Sequence, residues 1–479
     1  MASEKSPFDD VVRAMDAAHV SAREYVAGLG ARRVSQDASS TTMAKLLDEP
    51  LPEGPTDSTA VVAEWLQRAE PGIVASPGPR FFGYVVGGVT PAALAGDWLT
   101  SAIDQNCGLW ALSPAAAQTE LVVLRWLKEL FGLPAGWTGV VTSGATMANL
   151  VGLGAARQWA SARMGFDAAI DGLGGHPPIR VVSSDAIHAS AIKSLGTLGL
   201  GRASLTTVPA PDGRVDLESL RHVVEAIDGP VIVIANAGEV NSGQFDDIER
   251  IADLCADHPG GAWLHVDGAF GLFAAATPRL RHLLDGIERA DSVASDAHKW
   301  LNVPYDCGFA FVQDEAILRS TFASRGSYIA ATDDWDAIDL SPEISRRFRA
   351  LAAWCAIKAD GRAGYQAMIE RCLDNAQAFA GWIDETPNFE LLNAQRMHES
   401  PLNVVCFRAI RDDLDQAGTD ALNHQLTRAI QKDGRVFLSG TVWQGSTALR
   451  AAFDNWATSA ADIALLETTL EELATQLAG

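Results

Sequence analysis

Cysteine is scarce in this chain of 479 residues: there are six, Cys107, Cys255, Cys307, Cys355, Cys372 and Cys406, and no Cys-x-x-Cys pair. That scatter argues against a disulfide framework or a zinc site and predicts a reducing, cytosolic setting. Positive charge is also in short supply, with 37 Lys and Arg against 60 Asp and Glu and a formal net charge of −23. Such a surface is repelled by nucleic-acid phosphates and by anionic lipid, so neither is an expected partner. No run approaches the roughly 20 apolar residues of a membrane-spanning helix. The stretch 1–10 lacks the basic-then-apolar pattern of a secretory leader. Repeats and low-complexity tracts are missing too. What remains is a globular balance, 48% hydrophobic and 20% charged residues, in a length that fits about three units.

Residues 8–28 carry Val11, Val12, Met15, Ala18 and Val20 at near-helical spacing, which predicts an amphipathic helix. Segment 48–57 holds three prolines and a glycine and reads as an irregular linker. This N-terminal part has little core of its own and is expected to pack on another chain. From about 80 to 315, short apolar runs alternate with helical stretches. The runs are Val140–Thr142, Ile179–Val182, Val231–Ala235, Trp263–Val266 and Gly308–Val312, and a helix over 115–131 aligns Leu121, Leu124, Leu127 and Phe131. The class is therefore α/β, a mostly parallel sheet covered on both faces, with ligands at the carboxyl ends of its strands. Ser341-Pro342-Glu343 predicts a helix start, with the helix reaching about Ala359. Beyond Gly361 the pattern predicts a second helix, strands near 402–408, 435–439 and 447–453, and a last helix from Ser459: a smaller α+β unit. The division is 1–80, 81–358 and 359–479.

Four segments at the ends of apolar runs carry chemistry. In Thr142-Ser143-Gly144-Ala145-Thr146-Met147-Ala148-Asn149, a strand, a small-residue turn and a helix start make an anion site, or simply a helix cap. Ser184-Asp185-Ala186-Ile187-His188-Ala189-Ser190 offers His188 as a ring-stacking or a capping residue. In His265-Val266-Asp267-Gly268-Ala269-Phe270-Gly271, Asp267 ends an apolar strand and needs a cationic or hydrogen-bonding partner. In Ser295-Asp296-Ala297-His298-Lys299-Trp300, a desolvated lysine near other cations becomes a nucleophile. Together these are the parts of a pyridoxal phosphate site: a helix N-terminus for the phosphate, a lysine for the aldehyde and a carboxylate for the pyridinium nitrogen.

At these residues the sequence resembles the group II pyridoxal phosphate-dependent amino acid decarboxylases, the aromatic amino acid and glutamate decarboxylase family, in a short bacterial form. The likeness runs from Pro79-Arg80-Phe81-Phe82-Gly83-Tyr84 and Ser113-Pro114-Ala115, through the four segments, to Ser345-Arg346-Arg347-Phe348-Arg349, Leu449-Arg450 and Asn455. The resemblance implies aspartate aminotransferase fold type I, with a seven-stranded sheet in a large domain, a small C-terminal domain and a homodimer wrapped by the N-terminal segment. It implies that Lys299 forms the Schiff base with the cofactor, Asp267 pairs with its ring nitrogen, His188 stacks on the ring and Ala269 packs on the other face. Ala145, Thr146 and His298 would hold the phosphate, and no metal is implied. Arg450 matches the arginine near the substrate carboxylate, and Phe81, Phe82, Tyr84, Trp98 and Trp110 fall where the family builds its substrate entrance.

Two departures stand out. The loop after the strand at 231–235 usually carries two threonines in the family and here reads Asn236-Ala237-Gly238-Glu239-Val240-Asn241-Ser242-Gly243. Where the family places a loop tyrosine that returns a proton to the substrate, this chain has Ala331-Thr332-Asp333-Asp334-Trp335-Asp336. Tyr328, the nearest tyrosine, or His188 is left to supply that proton. The leading expectation is decarboxylation of an L-amino acid, aromatic in preference to acidic, to its amine. The alternatives are aldehyde synthesis by decarboxylation-dependent oxidation, another carbon–carbon cleavage, or cofactor binding without turnover.

Overall fold

The computed structural model describes residues 6, 8–36, 38–327, 334–399 and 402–478. Its larger sheet has seven strands: β1 (Thr138–Thr142), β2 (Arg180–Ser184), β3 (Leu205–Val208), β4 (Val231–Asn236), β5 (Ala262–Asp267), β6 (Ser292–Asp296) and β7 (Gly308–Val312). The order is β1-β7-β6-β5-β4-β2-β3. β2 to β6 pair in parallel, and β7 alone runs antiparallel to its neighbours β1 and β6.

The apolar runs are continuous because both faces of the sheet are covered. Val141, Val182, Val233, Val266 and Val293 point into one core, with the helices Pro114–Phe131 and Ile248–Asp257. Their neighbours Val140, Val181, Ile232, Ile234 and Ala294 point into the other, under the helices Ala145–Arg163 and Ala189–Thr197. Successive strand residues thus serve opposite layers. A second sheet, β8 (Phe389–Leu391), β9 (Val404–Ala409), β10 (Ser439–Trp443) and β11 (Ser446–Ala452), is fully antiparallel in the order β10-β11-β9-β8. Its core includes residues of the helices Gln416–Asp433 and Ala460–Ala478.

Three sequence expectations need correction. The helix placed at Ser341 begins at Ala350 and continues to Glu385, broken at Gly361 (φ 60°, ψ −177°). Residues before it form an irregular segment tied down by tertiary bonds. Cys107 N–H donates to Arg346 O, and the Arg346 guanidinium forms a buried ion pair with Glu120 at 2.8 Å. The strand placed at 435–439 lies at Ser439–Trp443, while Phe437 pairs with Phe81 across the two units. Strands β3, β6 and β8 escape an apolar-run search. β6 reads Ser-Val-Ala-Ser-Asp and is buried throughout, its serines satisfied by Trp263, His265 and Gly268.

The N-terminal helix Asp9–Gly28 forms as its spacing predicts, yet none of its residues is buried. Phe8, Val11, Val12, Met15 and Val20 are each more than half exposed.

Candidate active site

The loops after β1, β2, β5 and β6 all leave the carboxyl edge of the sheet, so the four segments converge. Asp267 is the last residue of β5 and is 6% exposed. Its Oδ2 accepts from Asn149 Nδ2 at 2.9 Å and its Oδ1 from the Ala269 amide at 3.1 Å. Asn149 lies on the first turns of the helix Ala145–Arg163 and is fully buried. A carboxylate only accepts, so this contact fixes the Asn149 amide with its nitrogen toward Asp267.

That orientation sets two tautomers. Asn149 Oδ1 faces His265 Nε2 at 2.8 Å, so His265 carries its proton on Nε2. His265 Nδ1 then accepts from Ser292 Oγ at 2.8 Å, and Ser292 in turn accepts from Trp263 Nε1 at 2.9 Å. Burial pushes the His265 imidazolium down to about 4, which keeps the ring neutral. On the other side, Asn149 Nδ2 also donates to Ser190 Oγ at 3.1 Å, and Ser190 Oγ lies 2.7 Å from His188 Nδ1. The Ser190 amide donates to the same nitrogen at 3.3 Å. His188 therefore accepts at Nδ1 and holds its proton at Nε2. Desolvation lowers its pKa, while the charges of Asp267, Lys299, Asp296 and Arg450 all reach it.

Lys299 Nζ sits 3.2 Å from Asp296 Oδ2 and 5.5 Å from the centre of the Phe270 ring. His298 donates from Nδ1 to Cys307 O at 3.1 Å and packs on Tyr305, ring centres 4.4 Å apart. Burial lowers the His298 pKa. Ala145 opens its helix after Gly144, whose φ of 151° and close surroundings exclude a side chain: a Cβ there would stand 3.1 Å from Asp296 Oδ1 and 3.2 Å from His298 Cε1. The Thr146 side chain is exposed at the same helix start. Ala269 bridges two of the loops, receiving the Asp296 amide at its carbonyl at 2.9 Å.

Arg450, on β11, is 7% exposed. Its Nη1 donates to Val240 O at 3.2 Å and its Nη2 to Tyr84 O at 3.2 Å, while Nε has no partner among the described residues. Burial lowers its pKa. No carboxylate within 4 Å pairs with it among the described residues. The unusual loop after β4 explains its seat: Glu239 accepts from Asn241 N, Ser242 N and Ser242 Oγ at 2.9, 2.6 and 2.9 Å, and the folded loop presents Val240 O to the guanidinium.

The aromatic residues divide. Phe81 is buried in a stack on Phe437, ring centres 4.6 Å apart, and Phe82 packs on Phe453 inside the smaller core. Tyr84 is 58% exposed beside Arg450. Trp98 lies against His19 of the N-terminal helix, and the Trp110 amide donates to Asp336 at 2.8 Å. Tyr328 lies outside the described residues.

Asn149, His265, Ser190 and Ser292 had no assigned role from sequence. One signal was available: His265 and Asp267 are two apart on a strand, so they share a face. Asp454 was missed entirely. It is buried, its Oδ2 has no hydrogen-bond partner among the described residues, and desolvation raises it to about 7.

The donor set fits pyridoxal phosphate on its own terms. A lysine amine, a buried carboxylate, a glycine-walled helix start and a buried arginine without an ion pair answer to an aldehyde, a ring nitrogen, a phosphate and a carboxylate. Comparison with known proteins agrees. A family model, the pyridoxal-dependent decarboxylase conserved domain, matches residues 41–410. The chain is 28% identical over 465 residues to an aromatic-L-amino-acid decarboxylase of Bacillus atrophaeus, spanning 95% of this chain and 93% of that one. It is 30% identical over 414 residues to tryptophan decarboxylase 1 of Oryza sativa subsp. japonica, spanning 80% and 77%. The crystal structure of Oryza sativa TDC with PLP and tryptamine matches with a TM-score of 0.90 at 25% identity, over 99% of this chain and 100% of that one.

Proposed function

The chain belongs to the pyridoxal-dependent decarboxylase family and is a pyridoxal phosphate-dependent amino acid decarboxylase, and we propose that it converts an aromatic L-amino acid to the amine and carbon dioxide. When bound, pyridoxal phosphate supplies an aldehyde for the amine and a protonated ring that accepts the electron pair released with carbon dioxide.

The protein's own residues do the rest. Lys299 offers the amine that anchors the cofactor, from a side chain that is 17% exposed. Asp267, held on both oxygens, keeps a proton at the ring nitrogen; its fixed charge costs no reorganisation during the reaction. Ala145, Thr146 and His298 hold the phosphate at the helix start. Ala269 would pack against the other face of the ring. Arg450 orients the substrate carboxylate, and a buried cation without an ion pair is the observation that carries this role.

His188 would stack on the ring, with its own proton held on Nε2. Two donors at its Nδ1 prevent the other tautomer, which supports His188 as the group that returns a proton to the α-carbon. The aromatic preference is supported by the curated relatives, whose names are aromatic amino acid and tryptophan decarboxylases, and by Tyr84, an exposed aromatic residue whose main-chain carbonyl accepts from Arg450. A homodimer is supported by the N-terminal helix, whose apolar side chains stay exposed on the single chain.

Purified, cofactor-loaded protein incubated with tryptophan, tyrosine, phenylalanine and glutamate tests the substrate class. Turnover of one aromatic substrate with kcat/KM at least about tenfold above glutamate, about 1.4 kcal/mol in transition-state binding, is expected. Preference for glutamate would refute it.

A further inference from the structure

Asp296 bonds at the helix start assigned above to the cofactor phosphate. Its Oδ1 accepts from the Ala145 amide at 2.5 Å and lies 3.5 Å from His298 Nε2. Its Oδ2 lies 3.2 Å from Lys299 Nζ. One carboxylate therefore engages the first amide of the helix, the histidine and the lysine, the three groups assigned above to phosphate and aldehyde. The residue is 4% exposed. Its main chain cannot retreat: it ends β6, pairs with Gly308 of β7, and donates its amide to Ala269 O. Only the side-chain torsions are free.

We propose that Asp296 is a built-in occupant of the phosphate cradle, which ties the cofactor-free site together and weakens cofactor binding by competing with the phosphate. The proposal rests on the cofactor reading above. A phosphate at the start of the helix Ala145–Arg163 meets a carboxylate already bonded to the first amide. For the phosphate to bind, the carboxylate turns away and gives up Ala145, or the two anions share a proton. Both routes oppose binding, and like charges in a poorly solvated site repel strongly. An asparagine in the same place keeps an oxygen for the Ala145 amide and adds an N–H donor for the phosphate.

The test compares two probes that share the aldehyde and the ring but differ in the phosphate: pyridoxal 5′-phosphate and pyridoxal. Dissociation constants are read from the visible absorbance of the bound ligand for the cofactor-stripped wild type and Asp296→Asn, with Asp296→Ser as the second neutral variant and circular dichroism to confirm folding. Asp296→Asn is expected to bind pyridoxal 5′-phosphate at least about tenfold more tightly, a change of the size charge-assisted contacts give. Its affinity for pyridoxal, which shares only the Lys299 contact, should gain at least about threefold less than that for pyridoxal 5′-phosphate. Unchanged or weaker binding of pyridoxal 5′-phosphate by both variants, or an equal gain for both probes, overturns the proposal. No visible band with either probe in the wild type removes the cofactor reading itself, and is distinct from both results.

Discussion

Replacing Asn149 with leucine tests the polar chain behind the site. Leucine branches as asparagine does and is the bulkier of the two, so the change removes hydrogen bonds without opening a cavity. Three contacts go: to Asp267 Oδ2 at 2.9 Å, Ser190 Oγ at 3.1 Å and His265 Nε2 at 2.8 Å. Ser190 keeps its bond to His188, so two buried groups are orphaned, the His265 N–H and one Asp267 oxygen. At about 1–3 kcal/mol for each unsatisfied buried group, the loss is about 4 kcal/mol. That is a large part of the roughly 5–15 kcal/mol by which folded proteins are stable. Urea unfolding of the cofactor-free protein reads it directly. Asp267 also loses its orientation, so cofactor release should quicken. A stability change under about 1 kcal/mol, with cofactor retention unaltered, would refute the claim that Asn149 holds the carboxylate.

Acidity provides two further tests with opposite signs. His265 is pushed down to about 4, below the roughly 6.5 of a free histidine. The unfolded chain therefore binds the extra proton first, and stability should fall as pH drops from about 6.5 toward 4. At pH 4.5 this histidine alone accounts for about 2–3 kcal/mol. His265→Gln should flatten that part of the urea-midpoint profile, and a slope as steep as the wild type's would remove His265 as the cause. Asp454 is raised to about 7, so the folded state binds the extra proton and stability should fall as pH rises from about 4 through 7. Asp454→Asn should gain on the wild type between pH 5 and pH 8 by about 2–3 kcal/mol; an equal difference at both pH values would contradict this.

The sequence was most legible where one side chain does one job. The five apolar runs all became strands because both faces of the sheet are buried, which favours apolar residues at successive positions. Gly361 marked the helix break because its backbone leaves the helical region there. β6 was hidden because its serines are satisfied by partners far along the chain, including Trp263 and His265. The segment after Ser341 shows the same effect in reverse. Its local capping pattern favours a helix, but the buried Arg346–Glu120 pair and the bond from Cys107 to Arg346 O hold it in an irregular path. Lys299 and Asp267 stood out as charges beside apolar runs. Asn149 did not, since a single amide in a helix gives no sign of the two histidines and the carboxylate that converge around it. Phe81 and Trp98, aromatic and near the expected entrance, pack instead on Phe437 and His19.

The central claim is that Lys299, Asp267 and His188 run a decarboxylation that ends in protonation. Its most direct test is product stoichiometry. Cofactor-loaded wild type and Lys299→Ala are given the best aromatic L-amino acid, and carbon dioxide, amine, aldehyde and hydrogen peroxide are measured together. Equal amounts of carbon dioxide and amine from the wild type, no peroxide, and no product from Lys299→Ala are predicted. Aldehyde with peroxide in place of amine, or undiminished turnover by Lys299→Ala, would contradict the account.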